Sequence, residues 1–285
     1  MIDSHQHFWD PARGDYGWLH PGATLYRTYQ PDDLAPLLKA AGIQGSILVQ
    51  AAPTEAETDY LLELARATPW VLGVVGWVDL CAHDAPSRIR ERGTDPLFVG
   101  VRPMLQDLAD RGWILKPEAT AGLETLQERG LVFDALVRAD QIQTIAVLAE
   151  RYPRLSIVLD HAGKPPLADP AAMAFWRTDL QRLAQRANVA CKLSGLLTEL
   201  PSCTPHENVD PCIDALVDLF GPDRLLWGSD WPVATTVTEY PDWLNRCRNR
   251  VLARIPSHLQ AVFGGNARRI YRLARGQNVE SSKAR

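Results

Sequence analysis

His5-Gln6-His7 sets two imidazoles two residues apart. On a β-strand, residues at i and i+2 share a face, so both rings can aim at one point. Neutral imidazole nitrogens bind divalent metals at ~2.0–2.1 Å, and two from one strand make half a site. Two other stretches hold groups of the same kind. Asp160-His161-Ala162-Gly163-Lys164-Pro165 follows the apolar run ending at Leu159, and Gly228-Ser229-Asp230-Trp231-Pro232 follows Leu225-Leu226-Trp227. A carboxylate at position 230 could bind a metal or take a proton from an attacking water as general base. Read alone, Ser-Asp-x-Pro is also turn chemistry. His161 could be a ligand, a general acid or an electrophile that polarises a carbonyl.

Such residues do chemistry together only if one architecture gathers them. Short β-rich runs alternate with amphipathic stretches from end to end. The runs are Ile2–His7, Ser46–Gln50, Val71–Asp79, Phe98–Arg102, Leu131–Leu136, Leu155–Asp160, Val189–Ser194 and Leu225–Ser229. Between them lie helical patterns such as Pro31–Ala41, Glu55–Ala67, Ala121–Arg129, Ala139–Arg151, Met173–Ala187 and Pro211–Phe220. This alternation predicts parallel βαβ units. Eight of them, spaced by about 32 residues, predict an α/β protein built as a single (β/α)8 TIM-like barrel. The barrel is expected over residues 1–275, with a disordered tail at 276–285.

Barrel active sites lie at the C-terminal ends of the strands. That rule selects His5 and His7, Gln50, Trp77 and Asp79, Arg102, Asp160, His161 and Lys164, Lys192 and Ser194, and Asp230. The guanidinium fork of Arg102 could bond a carbonyl or a carboxylate, or serve only a pairing role at the rim. Lys192 stands among Val189, Ala190, Cys191 and Leu193, so it should be buried and paired, with Asp134 or Asp160 as partner. A Schiff-base lysine is the chemical alternative. Nine tryptophans is a high number, and Trp9, Trp18, Trp77 and Trp231 fall in the first loop or at strand ends. There an indole offers a sugar ring a flat apolar wall and one donor. Trp113, Trp176 and Trp243 fall in helical or connecting segments, where packing is the expected role.

Composition narrows the class. The chain has 285 residues, 46% of them hydrophobic, with 30 basic against 34 acidic side chains and a net charge of −4. Nucleic-acid binders carry a basic excess or stripe, which is not seen here. The longest apolar run, Trp70 to Val78, is far shorter than the ~20 residues of a spanning helix. The opening residues do not read as a signal peptide. Five widely spaced cysteines with no C-x-x-C pair argue against a disulfide scaffold or zinc knuckle, so free thiols in a cytoplasmic protein are expected.

The chain resembles the amidohydrolase superfamily, in the amidohydrolase-related branch that includes sugar-acid lactonases. The likeness rests on His5-x-His7, Gly100-Val101-Arg102, Gly130-Leu131-Val132-Phe133-Asp134 and Val158-Leu159-Asp160-His161-Ala162-Gly163-Lys164-Pro165. It continues through Cys191-Lys192-Leu193-Ser194-Gly195, Leu226-Trp227-Gly228-Ser229-Asp230-Trp231-Pro232 and Gly264-Gly265-Asn266-Ala267, from Met1 to about Leu273. The resemblance implies hydrolysis of an aldono-1,4- or 1,5-lactone, such as L-fuconolactone or L-rhamnonolactone, to the sugar acid. It implies Asp230 and His161 as catalytic residues, with Arg102, Trp9, Gln50, Trp77, Lys164 and Trp231 around the substrate. It also implies one divalent metal, zinc, on His5, His7 and Asp230, with His161 as a further candidate ligand. Some lactonases of this branch work without a metal, and this remains the alternative. Strand 5, where two-metal members carry a bridging lysine or a glutamate, reads Leu131-Val132-Phe133-Asp134-Ala135, which argues against a two-metal site. The rival readings are a zinc-dependent nonhydrolytic decarboxylase of the same superfamily and a noncatalytic sugar-acid binder.

Overall fold

In a computed structural model that describes residues 1–273, the strands are β1 Ile2–Gln6, β2 Gly45–Val49, β3 Val71–Gly76 and β4 Phe98–Val101. They continue with β5 Val132–Ala135, β6 Ile157–Leu159, β7 Val189–Leu193 and β8 Leu225–Trp227. All pair in parallel and in chain order, giving one eight-stranded sheet that curls into a nearly closed barrel. Around it run α1 Pro31–Ala41, α2 Glu55–Ala67, α3 Ala85–Arg92 and α4 Thr120–Arg129. After these come α5 Ile142–Arg151, α6 Pro170–Ala184, α7 Asp210–Phe220, α8 Tyr240–Arg254 and the short α9 Asn266–Ile270. The expected tail, 276–285, and the last two residues of the expected 1–275 barrel lie outside the described residues. Among the described residues, no helix is long and apolar enough to cross a membrane.

The elements differ from expectation where side chains take over from the backbone ladder. The expected third strand ran to Asp79 but stops at Gly76, because the N–H and carbonyl of Trp77 both bond the Thr58 hydroxyl of α2 (2.8 and 3.3 Å). The sixth helix starts three residues before Met173, because Asp169 accepts from the amides of Ala171 and Ala172 (2.9 and 3.1 Å) and Pro170 suits the first helical position. It ends at Ala184 rather than Ala187. The fifth begins at Ile142, after a 3-10 turn at Ala139–Gln141 whose Gln141 side chain accepts from the Arg138 amide.

The interior has three levels. At the N-terminal end Ile2, Ile47, Val75, Val99, Val132, Val158 and Leu226 form an apolar floor, closed from below by Ala267, Tyr271 and Leu273. Above it lies a charged layer, and above that the mouth. Between strands and helices runs the larger apolar shell, which includes Phe133, Leu159, Leu180, Ile213 and Trp227.

The loop after β2 is held by a buried carboxylate. Glu57 accepts from the amides of Ala51 and Ala52 (2.9 and 3.0 Å), and burial pushes its carboxyl up to about 7 from 4.5. A carboxyl raised on folding contributes stability that is complete below its unfolded value and is lost as pH rises through the folded one. Stability should therefore fall by about 3 kcal/mol between pH 4.5 and 7 on account of this group. The Glu57→Gln variant should flatten that slope in urea unfolding at pH 5 and 8. An unchanged slope would show that Glu57 does not cause it.

Candidate active site at the barrel seam

The barrel closes between β1 and β8 by a stitched seam rather than a long ladder. The end of β1 and the residues past β8 exchange backbone bonds, with His7 N–H on the Trp231 carbonyl and Asp230 N–H on the His5 carbonyl, both at 2.8 Å. Side chains add to it: Ser4 Oγ donates to the Trp227 carbonyl (2.7 Å), and Asp3 accepts from the Ser229 amide (2.8 Å) and from the Tyr240 hydroxyl (3.0 Å). Asp230 itself is left-handed (φ 58°), a conformation that aspartate tolerates better than most residues. The seam thus sets Asp230 beside both histidines of β1.

His161 reaches the same point from β6. It opens a left-handed run, His161, Ala162, Gly163 and Lys164, with φ of 49°, 53°, 67° and 52°. Left-handed backbone costs ~1–2 kcal/mol per non-glycine residue, and such strain clusters at functional sites. The imidazole is held by Ser194 Oγ at 2.9 Å from Nδ1. Gly195 (φ 61°) leaves room for the ring, since a methyl there would overlap His161 Nδ1 and come within 3.1 Å of Asp230 Oδ2. The variant Gly195→Ala should lower kcat for the reaction by about a hundredfold, because sub-ångström placement is lost. It should also cost ~1–2 kcal/mol in thermal unfolding. Full activity would show that the His161 position is not critical.

The four groups converge. Asp230 Oδ1 lies 3.4 Å from His7 Nε2, 3.7 Å from His5 Nε2 and 3.9 Å from His161 Nε2, and the two β1 rings approach to 3.2 Å between their Nε2 atoms. All four are buried. Burial alone would push the Asp230 carboxyl up, but His161, His7 and His5 around it hold it well below the ordinary carboxylate range. Burial lowers His161, and burial together with Lys192 lowers His5, so both favour the neutral ring.

The tautomers follow from the partners. His7 Nδ1 sits 2.8 Å from the Val49 carbonyl, which can only accept, so Nδ1 carries the proton and Nε2 offers a lone pair to the mouth. His5 Nδ1 faces both Lys192 Nζ (3.1 Å) and Asp160 Oδ1 (3.4 Å), a buried oxygen with no hydrogen bond of its own. A donor and an acceptor together can satisfy either tautomer of His5.

Beneath lies the charged layer. Lys192 Nζ bonds Asp134 (2.5 Å) and pairs with Asp160 (3.1 Å), Arg102 Nη1 pairs with Asp160 Oδ2 (3.3 Å), and Tyr271 donates to Asp134 (2.7 Å). Burial drives the Asp134 carboxyl up to about 6, while the Asp160 carboxyl, though buried, is held well below its usual range by Lys192, His5 and Arg102. Two cations and two carboxylates make this layer neutral overall. Lys192 is fully buried below His5, which suits the pairing expected from sequence and gives a Schiff base no approach.

A cavity of about 230 Å³ opens over the cluster. Of the residues expected to touch substrate, it is lined by Trp9, Arg102 and Lys164, together with the expected catalytic His161 and Asp230 and with His7. Gln50 is buried and does not line it. Its Nε2 donates to the Arg102 carbonyl (2.7 Å) and its own carbonyl accepts from Arg102 Nη2, so it fixes the arginine. Trp231 is buried edge-on against Phe8 and Tyr29, at 6.0 and 5.3 Å between centroids. Trp77 lines a neighbouring cavity instead. Trp18 stands edge-on to Trp9 (5.2 Å) and lines both. Trp176 and Trp243 pack in the core and donate to the Ala162 and Gly228 carbonyls, as expected.

Sequence reasoning did not single out Ala51, Met104, Gln106, Asp107, Leu136, Thr198 or Val233, which complete the lining. Nothing in their residue types signals chemistry, though several follow β4, β5 and β7 directly. Two clefts elsewhere are lined by ion pairs, Arg88–Glu55 between α2 and α3 and Arg246–Asp210 between α7 and α8, whose work is to hold helices together.

Comparison with known proteins agrees with this picture. A protein-family model described as amidohydrolase matches residues 2–273. An L-fucono-1,5-lactonase of Burkholderia ambifaria is 45% identical over 286 residues, covering 96% of each chain. An L-fucono-1,5-lactonase of Burkholderia multivorans is 40% identical, over 95% of this chain and 96% of that one. The crystal structure of a Burkholderia multivorans amidohydrolase with bound zinc superposes with a TM-score of 0.90 at 40% identity, covering 95% of this chain and 99% of that one.

Proposed function

The chain belongs to the amidohydrolase family, and from that premise we propose that it opens L-fucono-1,5-lactone, or a close stereoisomer, to the sugar acid. Lactone hydrolysis as the reaction class is supported by lactonase relatives that match along nearly the whole chain, and decarboxylation or binding without turnover is less supported. The observation that carries the mechanism is one carboxylate set against three imidazoles at the mouth of a small cavity.

Asp230 is the base. Oδ1 faces the histidines, which leaves Oδ2, toward Gly195, to accept the proton of the attacking water. His161 is the electrophile. In the tautomer whose Nδ1 accepts from Ser194 Oγ, Nε2 carries its hydrogen toward the cavity, where it polarises the ester carbonyl and then hydrogen-bonds the departing ring alkoxide, which takes up the proton that Asp230 removed from the water. Arg102, fixed by Gln50 and Asp160, adds positive charge beside the developing oxyanion. Trp9 gives the sugar an apolar wall, and Lys164, paired with Glu199 at 3.0 Å, meets ring hydroxyls.

The residues also fit a single zinc ion. Donor separations of 3.2–3.7 Å among His5 Nε2, His7 Nε2 and Asp230 Oδ1 are close to the ~3.3 Å between corners of a tetrahedron with ~2.0 Å bonds. The donor atoms of His5, His161 and Asp230 also lie within 4.8 Å of one another. The Val49 carbonyl behind His7 and Asp160 Oδ1 behind His5 are the outer partners that ligating histidines need. When bound, such an ion supplies Lewis acidity and a more acidic water. The five unpaired cysteines support a reducing, cytoplasmic location.

A pH-indicator assay on aldono-1,4- and 1,5-lactones tests the reading, because each turnover releases one acid. Acidification above the spontaneous rate is expected, and fastest on L-fucono-1,5-lactone. Activity that falls with chelator and returns with zinc would assign the ion a role, with metal analysis of the protein as the second readout. No acid from any lactone would overturn the function.

A further inference from the structure

Beside the catalytic cavity lies a second one, of about 540 Å³, more than twice as large. Three indoles line it, Trp18 from the first loop, Trp77 from the end of β3 and Trp113 from the loop after β4. It shares Trp18, Met104 and Asp107 with the catalytic cavity, so the two adjoin across these side chains. The Trp18 indole N–H is already bonded to the Ala51 carbonyl (2.8 Å), which leaves its ring face as the surface it offers. The indole N–H groups of Trp77 and Trp113 are without a hydrogen-bond partner among the described residues. Asp79 and Asp107 bring carboxylate acceptors to the same wall, while Asp15 is balanced by Arg13 at 2.9 Å.

Flat indole faces, free N–H donors and carboxylate acceptors are the set that recognises a neutral sugar ring, with its apolar C–H face and its rim of hydroxyls. We propose that the cavity formed by Trp18, Trp77 and Trp113 is a second saccharide subsite, next to the one that holds the lactone. This rests on the lactonase reading for its position beside a sugar, but its own ligand needs no ester. The ring it takes is either a glycosyl substituent on the lactone or a free saccharide.

The probe is methyl α-L-fucopyranoside, a sugar with no lactone bond, titrated against tryptophan fluorescence while excess L-fuconate fills the catalytic cavity. A saturable change is expected in the unaltered protein, weakened at least tenfold in Trp113→Ala and largely restored in Trp113→Phe. Hydrolysis of L-fucono-1,5-lactone by Trp113→Ala should stay within twofold of the unaltered enzyme. No saturable change, a change abolished by fuconate, or one insensitive to Trp113→Ala would overturn the subsite. The source of the ring is read separately. A lactone bearing a glycosyl substituent should exceed its parent in kcat/KM, with the gain lost in Trp113→Ala; equal values assign the subsite to a free saccharide. Absence of acid release by the unaltered protein would sink the lactonase reading alone, since glycoside binding is measured without turnover.

Discussion

Acid release from L-fucono-1,5-lactone should fall by about a thousandfold or more in Asp230→Asn, with little change in thermal stability. General-base catalysis is worth ~10²–10⁴ in rate, and this carboxylate also holds the three imidazoles in register. The amide keeps the shape, but it cannot take a proton from water. The loss should lie in kcat, with KM changed little, because the side chain acts on the water rather than on the sugar. The measurement is steady-state kinetics beside a melting curve of the same preparation. Activity within tenfold of the unaltered enzyme would remove Asp230 from the role of base.

The second large effect is on stability. In Lys192→Met the barrel interior keeps Asp134 and Asp160 but loses the ammonium that lies between them. Breaking a buried pair by deleting one partner costs ~3–5 kcal/mol, because the other charge stays behind without water. For a chain of this size that is a drop of roughly 10 °C in Tm. Removing one of the stranded charges as well, in Lys192→Met with Asp134→Asn, should recover part of the loss. A double variant no better than the single one would mean that packing of the lysine stem, not charge, is what the position supplies. His5 rests on the same layer, so the single variant should also lose activity at temperatures where it is still folded.

Much of this was legible in the residues. Strand–helix alternation predicts the barrel, and polar residues at the C-terminal strand ends gather at one mouth, as His5, His7, His161 and Asp230 do. The pairing of Lys192 followed from a charge in an apolar run. Other features were hidden for physical reasons. A tryptophan next to a strand end can face the cavity, a neighbouring cavity or the core, and Trp9, Trp77 and Trp231 take one course each. Gln50 carries the same polar signal whether it touches substrate or, as here, clamps an arginine. Tyr271 lies more than a hundred residues from Asp134 in sequence, and only closure of the barrel from below brings them together. The helix α8 was masked by its charged residues, yet Tyr240, Trp243, Leu244, Cys247 and Val251 form one buried face.

The stitched seam has a consequence for when the protein becomes an enzyme. Its histidine pair leaves the ribosome more than two hundred residues ahead of Asp230, the proposed base. Until β8 is made and docked on β1, the nascent chain holds two imidazoles with no carboxylate to complete them. The converse holds on the way out. A perturbation that parts β1 from β8 need break only a few backbone bonds and the contacts of Asp3, Ser4 and Ser229 to separate Asp230 from the histidines. Catalysis should therefore be the last property the chain acquires and the first it gives up, while most of the barrel is still in place.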